Sequence, residues 1–381
     1  MKVIFLGCTI DFGLGYGANN TKISFMIKGL QLVGVNCVVH NGIVGTEKVK
    51  KKQCVEFDGV EVTTLNKRKW PYVSCIFNCF CLYNYLRKER KNNEFAIAVL
   101  EMDLFHIMLL YFVILKLLNY KIVVISHEWG PTMVDERIIK YISHCTFAKT
   151  FGWCCDGILP ISEYIINKIR HFKKPYLKVP ILADFNVKHS HLLVENNCFV
   201  YCASVYYSRI IKMIINSYEL YINRGGTVGL ILILNGPENK IKEIIDDIVA
   251  KHLSESIQIK SKLPYKELLN VFCGAKALLI PLNPNYSQDS ARFSQKIAEY
   301  LSTKTPIITN KVGDIQFYFR NDEIITCEYS EEGFSEALMW VSSHEMECKQ
   351  IGERGYIRGL NEFDFRQWGE KMYRFFDSLF E

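Results

Sequence analysis

Apolar residues along this chain fall into short unbroken runs, separated by longer stretches in which they recur every three or four positions. Residues 2–7, 35–40, 96–100, 122–126 and 157–160 are such runs. Continuous rather than alternating apolar character is the mark of strands buried on both faces of a parallel sheet. Between the first two, residues 21–32 carry a helical pattern. Residues 178–185 read as a connector. A second series follows at 199–203, 228–235, 257–260, 277–281 and 306–309, each run leading into a turn or a helical stretch. Strands parted by helices imply right-handed βαβ units, here in two doubly wound α/β halves, with a ligand cleft expected between their strand ends.

Composition agrees with two full cores. The chain has 381 residues, 49% of them apolar and 23% charged, which excludes a disordered protein. The first apolar run is too short for a secretory signal and has no small-residue cleavage site. The longest apolar stretch, 104–125, is interrupted by His106, Lys116, Asn119 and Lys121. That reads as a buried helix leading into a strand, not as a lipid span of about 20 residues. Fourteen cysteines lack zinc-type spacing: neither Cys79 with Cys81 nor Cys154 with Cys155 has a matching second pair. Reduced thiols packed as small hydrophobes are expected, which points to the cytoplasm.

Charge divides the chain unevenly. The net charge is +6, yet residues 1–190 hold a surplus of basic residues and the remainder a surplus of acidic ones. Lys48 with 50–52, 67–69 and 87–91 are the basic clusters. Between the last two, Trp70, Phe77, Phe80 and Tyr83 lie in an aromatic stretch with basic ends, and the last three share one helical face at threefold spacing. Two readings fit: a core helix with solvated flanks, or an interfacial contact with an anionic membrane surface.

Residues 289–310 carry the most chemistry. A polar loop runs into a helix beginning near Ser294, whose only acid is Glu299, and which ends before Pro306 and a buried strand. First-turn amides with Lys296 could hold an anion, while Glu299 could reach hydroxyls attached to it. The same residues also describe an ordinary surface helix. Gly13, Gly15 and Gly17 form a glycine-rich loop, but their spacing is not that of a dinucleotide fingerprint, and the second strand ends at His40 and Asn41 without an acid. His127 follows a buried strand, as a loop histidine of either structural or functional kind.

The run from Arg292 to Ile308 resembles the nucleotide-sugar motif of retaining glycosyltransferases of the GT-B fold, particularly those similar to family 4. The resemblance implies two Rossmann-like domains: an acceptor-side domain at 1–187, a nucleotide-sugar domain at 188–362, and a C-terminal helix at 363–381 packing back on the first. It implies donor diphosphate contacts from Phe293, Ser294, Gln295 and Lys296, ribose binding by Glu299, and a basic residue, Arg209, facing the diphosphate. Gly236 matches the next glycine turn, Lys262 and Leu263 the segment along the base, Gly15 and Gly17 the loop toward donor and acceptor, and His127 the histidine-bearing loop. A second family histidine would fall near Glu101 and Asp103. Two positions depart from the pattern: Ala291 stands where the family often has a second Glu, and Ser204 where it often has an Arg. The function implied is transfer of a sugar, with retention, from a nucleotide-sugar donor to a glycan or lipid-linked acceptor in surface polysaccharide synthesis, with no cofactor, no metal and no nucleic acid. A nucleotide-sugar epimerase of similar fold and a non-catalytic binding subunit are the alternatives.

Overall fold

A computed structural model describes residues 1–8, 18–45, 53–57, 59–67, 71–91, 95–101, 104–133, 137–187 and 197–381. The loop containing Gly15 and Gly17, the clusters at Lys48 and 50–52, and the residues Arg68, Lys69, Trp70 and Asp103 lie outside the described residues. The chain forms two units: Met1–Leu182 with Ser290–Phe293 and Phe365–Glu381, and Ala183–Asp289 with Ser294–Asp364.

Unit 1 follows the apolar runs. In chain order it comprises β1 (Lys2–Leu6), α1 (Ala18–Leu32), β2 (Asn36–His40), β3 (Gln53–Phe57), β4 (Val60–Thr64), α2 (Pro71–Lys91), β5 (Ala96–Glu101), α3 (Phe105–Leu117), β6 (Lys121–Ser126), α4 (Ile138–Cys154), β7 (Gly157–Pro160) and α5 (Glu163–Ile169). The sheet order is β3-β4-β2-β1-β5-β6-β7, parallel except for β3 against β4. That antiparallel edge pair was not expected from the sequence. Its turn carries Gly59, at φ 74°, and β4 buries Val60 and Val62 in a run of only five residues, so its apolar signal is short. Order reverses between β1 and β5, where Gly7 has φ 81° and a side chain on it would come within 2.5 Å of the Glu101 carbonyl oxygen. Only glycine lets the two strand ends run so close.

The expectation of a buried helix leading into a strand over 104–125 holds for one face of the helix. Helix α3 buries Met108, Tyr111, Phe112, Ile114 and Leu115, but Leu109, Leu110, Val113 and Leu117 are exposed. It packs against α4 and on β6, so a single face is covered. Among the described residues no helix is long and apolar enough to cross a membrane. All fourteen cysteines are free thiols.

Unit 2 is a six-stranded parallel sheet. Its elements are β8 (Cys198–Ser204), α6 (Ser208–Asn223), β9 (Gly229–Asn235), α7 (Glu238–Ala250), β10 (Ile257–Lys260), α8 (Tyr265–Cys273), β11 (Ala277–Ile280), α9 (Ser287–Ala291), α10 (Gln295–Leu301), β12 (Ile307–Thr309), α11 (Ile315–Tyr318), β13 (Ile325–Thr326), α12 (Glu331–Ser343) and α13 (Glu345–Phe363). The order is β10-β9-β8-β11-β12-β13, so the reversal falls between β8 and β11. Strands β8, β9 and β11 bury Phe199, Leu232 and Leu279 in a core shared with Tyr218 and Tyr221 of α6 and Phe334 of α12. The Tyr221 hydroxyl accepts from the amides of Thr227 and Val228 at 3.2 and 3.1 Å, which pins the turn into β9. Residues 289–294, expected as loop, are helical as far as Ala291. Helix α10 ends as its sequence requires, with Lys304 left-handed at φ 63° shortly before Pro306.

A last helix, α14 (Phe365–Ser378), belongs to unit 1 and lies on α1. Gly29 and Gly369 meet there: a methyl on Gly369 would sit 2.0 Å from the Gly29 carbonyl oxygen. Phe25 and Phe365 stack beside them with centroids 5.4 Å apart. Two glycines in register let the backbones touch, and that closeness buries Trp368, Met372 and Phe376.

Candidate functional site

In an open parallel sheet the ligand crevice lies beyond the carboxyl ends of the strands where order reverses. In unit 2 that point is the end of β8 beside the end of β11. Arg209 stands in the first turn of α6, after β8. Lys296 and Glu299 stand on α10, after β11. The topology therefore sets Arg209 and the pair Lys296–Glu299 on either side of the reversal. Ser294 is the N-cap of α10 but makes no side-chain capping bond, and Gln295 is buried. With seven residues, α10 has only a short dipole.

Arg209 is exposed, and its guanidinium is steadied by a hydrogen bond to the Tyr286 hydroxyl. Lys296 is half-buried and makes no ion pair among the described residues. The loop carrying Tyr286 is braced: Asp289 accepts from the Asn283 amide at 2.8 Å, and Asn310 accepts from the Leu282 amide at 2.9 Å while donating to the Cys327 carbonyl at 2.9 Å. Sequence reading missed these braces. Asn310 closing the strand end at 306–309 was the available signal, since an amide side chain can satisfy two neighbouring strands at once.

Glu299 corrects an expectation. Read from sequence as solvent-accessible, it is only 6% exposed, and its carboxylate has no hydrogen-bond partner among the described residues. Burial raises its pKa from 4.5 to about 7, with Lys296 pulling in the opposite direction. The same acid helps to raise the Tyr265 phenol, after burial itself. An acid left buried and unpaired is costly unless a ligand supplies its hydrogen bonds.

The remaining donor residues divide. Gly236, at φ 152°, lies against Val205 after β8, and a side chain there would come within 2.2 Å of Val205 Cγ2. Packing alone therefore demands glycine. Lys262 follows β10 with φ 53°; its amide donates to Asn235 Oδ1 at 3.3 Å, and its exposed ammonium meets Glu238 at 3.4 Å. Leu263 is half-buried beside it. Both lie at the end of β10, beyond β9 from the reversal. Phe293 is buried and falls in unit 1.

Unit 1 holds a second polar cluster at its own reversal. His127 follows β6, is 9% exposed, and leaves Nε2 buried without a hydrogen-bond partner among the described residues. Burial, then the charge of Lys22, holds its pKa well below 6.5, so the imidazole is neutral. Lys22 of α1 is 2% exposed and donates to the Val179 carbonyl at 2.7 Å. Burial lowers its pKa to about 7, against the opposing pull of Glu101 at the end of β5. Lys22 was missed from sequence, although it lies in line with Met26, Gly29 and Leu30 on the buried stripe of α1. A lysine on such a stripe is the sign that was available.

Residues 240–374 match a protein family described as glycosyl transferase-like. No curated protein matches the chain. Among solved structures, sucrose-phosphate synthase from Thermosynechococcus elongatus is similar at a TM-score of 0.76 and 11% identity, covering 100% of this chain and 99% of its own. A glycosyltransferase from Rickettsia africae gives 0.73 and 13%, covering 100% and 98%. Anabaena HepE in complex with UDP-glucose gives 0.73 and 10%, covering 99% and 100%. Likeness over whole chains at such identities establishes the fold, which is GT-B.

Proposed function

We propose that this glycosyltransferase of the GT-B fold moves a sugar, with retention, from a nucleoside diphosphate donor held by unit 2 to a hydroxyl of a glycan or lipid-linked acceptor, in the building of a surface polysaccharide. The observation that carries the reading is Glu299: a buried, unpartnered carboxylate one turn beyond a half-buried lysine, at the sheet reversal of a Rossmann-like unit. A ribose offers the two adjacent hydroxyls such a carboxylate lacks, and a diphosphate offers the anion that Lys296 and Arg209 lack. The bound UDP-glucose of Anabaena HepE supports a donor of this class.

Breaking the bond between sugar carbon and phosphate oxygen leaves its electron pair on the phosphate. Arg209, held by Tyr286, and Lys296 meet that charge as it grows, and so stabilise the transition state more than the bound donor. The acceptor hydroxyl attacks from the face the phosphate is leaving, and its proton passes to the departing phosphate. No protein base is needed for that transfer. His127, neutral, offers one hydrogen bond from Nε2 to a sugar hydroxyl. Free thiols throughout fit a reducing, cytoplasmic compartment.

Release of nucleoside diphosphate from a panel of sugar donors, with and without glycan and lipid-linked acceptors, tests the reading. Release that needs an acceptor supports it. Donor consumption without any acceptor indicates an epimerase or hydrolase, and binding without turnover indicates a non-catalytic subunit.

A further inference from the structure

Single exposed apolar side chains are normal, but clusters require an occupant. Of the 23 large hydrophobic side chains exposed in the described residues, 11 lie on α2, α3 and α4 of unit 1, so the excess is confined to one helical layer. Right-handed crossovers from β4 to β5, β5 to β6 and β6 to β7 put these helices on one side of the sheet, α2 against α3 and α3 against α4. On α3, Leu109, Val113 and Leu117 point outward at fourfold spacing, with Leu117 71% exposed. Ile138 and Ile139, 76% and 82% exposed, open α4, and Ile142 and Trp153 continue its outer face. On α2 the face carrying Phe77 and Phe80 is exposed, whereas Ser74, Asn78, Leu82 and Leu86 face the core. That removes the core-helix account of Phe77 and Phe80.

Among the described residues of these three helices, cations outnumber acids. Neither α3 nor α4 contains an acidic residue. Lys140 and Lys149 are exposed on α4 and Arg137 caps it, while Lys116 of α3 is paired with Asp156 at 3.0 Å. Helix α2 ends in Arg87, Lys88, Arg90 and Lys91, its one acid, Glu89, being taken by Lys2. A second copy of the chain is a poor occupant, because pairing like faces would set these cations opposite themselves. An anionic bilayer satisfies both features, with apolar side chains entering the acyl boundary and lysines remaining among the headgroups. We propose that the outer face of α2, α3 and α4 seats unit 1 on an anionic lipid membrane. This inference is independent of the catalytic reading, and it extends the contact expected from residues 70–86 to two further helices.

Flotation of the full chain with vesicles of phosphatidylcholine, alone or mixed with phosphatidylglycerol, tests it. At low salt, partition onto the anionic vesicles should exceed that onto neutral ones at least tenfold and should weaken with added salt. Changing Lys140 and Lys149 to Glu should lower that partition by roughly 25-fold, about fivefold for each lysine. Ile138→Ser with Ile139→Ser and Ile142→Ser should lower it by about tenfold or more at unchanged charge. These positions are exposed, so melting temperatures should stay near wild type. Brominated lipid should quench the emission that Trp153→Phe removes, which separates insertion from adsorption. Failure to bind anionic vesicles, binding indifferent to both sets of substitutions, unquenched Trp153, or a dimer in solution that the isoleucine changes dissolve would each overturn the proposal.

Discussion

The two sheet reversals solve opposite problems. In unit 1 the cation is inside: Lys22 is buried and spends its hydrogen bond on the Val179 carbonyl, with Glu101 near enough to offset part of its burial. In unit 2 the acid is inside, without a partner, while the cations Arg209 and Lys296 stand nearer the surface. In the first cluster Lys22 is satisfied by its own fold, whereas His127 Nε2 finds no partner among the described residues. The second leaves the Glu299 carboxylate without a hydrogen-bond partner among the described residues. The same kind of strand-order reversal thus carries a buried cation in one unit and a buried acid in the other.

The sharpest way to break the comparison is at the cations of unit 2. Arg209→Ala or Lys296→Ala should lower kcat by roughly 100-fold or more, while nucleoside monophosphate binding changes little, because charge develops on the group the monophosphate lacks. Equal losses in turnover and monophosphate binding would make them parts of a general basic surface.

Lys22→Met should leave nucleoside diphosphate affinity within about twofold and act on stability instead. Between pH 7 and 10.5 the unfolded chain holds a proton that the folded Lys22 does not, so wild-type stability should gain about 5 kcal/mol as pH rises through that window. The variant should lose that slope in denaturant titrations. If diphosphate affinity falls with it, the unit 1 cluster is not merely structural.

Glu299→Gln should act in the reverse sense on stability. The folded acid keeps its proton up to about pH 7, whereas the unfolded one loses it near 4.5. Wild-type stability therefore falls across that window, by about 3 kcal/mol relative to the variant, and Glu299→Gln should be the more stable protein at pH 8. Equal stability across the whole range would mean that the carboxylate is solvated. The smallest effect is expected at His127→Asn, a loss of turnover of about tenfold with diphosphate affinity unchanged, since one hydrogen bond from a neutral ring is at stake. A changed affinity would move His127 out of its assigned role.

The sheets were legible because both-face burial writes itself as unbroken apolar runs, and α10 because Ser294 and Pro306 bracket it. Less legible were elements with one apolar face. The β3–β4 edge was unseen, and the exposed face of α3 was not distinguished from its buried one because its outward leucines look like core residues in the sequence. For the candidate site, the sequence offered residue types and spacing but not burial. Nothing local distinguishes Glu299 from any acid on a surface helix; its helix is covered by α13, and Tyr265 of α8 lies near its carboxylate, both distant in sequence. Gly236 shows the converse, a motif glycine whose contact with Val205 accounts for it without a ligand.

The most direct measurement is calorimetric titration of a nucleoside diphosphate into wild type and Glu299→Gln at pH 6 and pH 8. Ribose hydroxyls donate to an ionised carboxylate, so binding must draw the proton off Glu299, whereas titration of the phosphate is common to both proteins. The account predicts that the affinity ratio of wild type to variant rises about tenfold from pH 6 to pH 8, with wild type releasing more protons on binding near pH 7. A ratio that stays near one at both pH values would contradict it and take Glu299 out of the donor site.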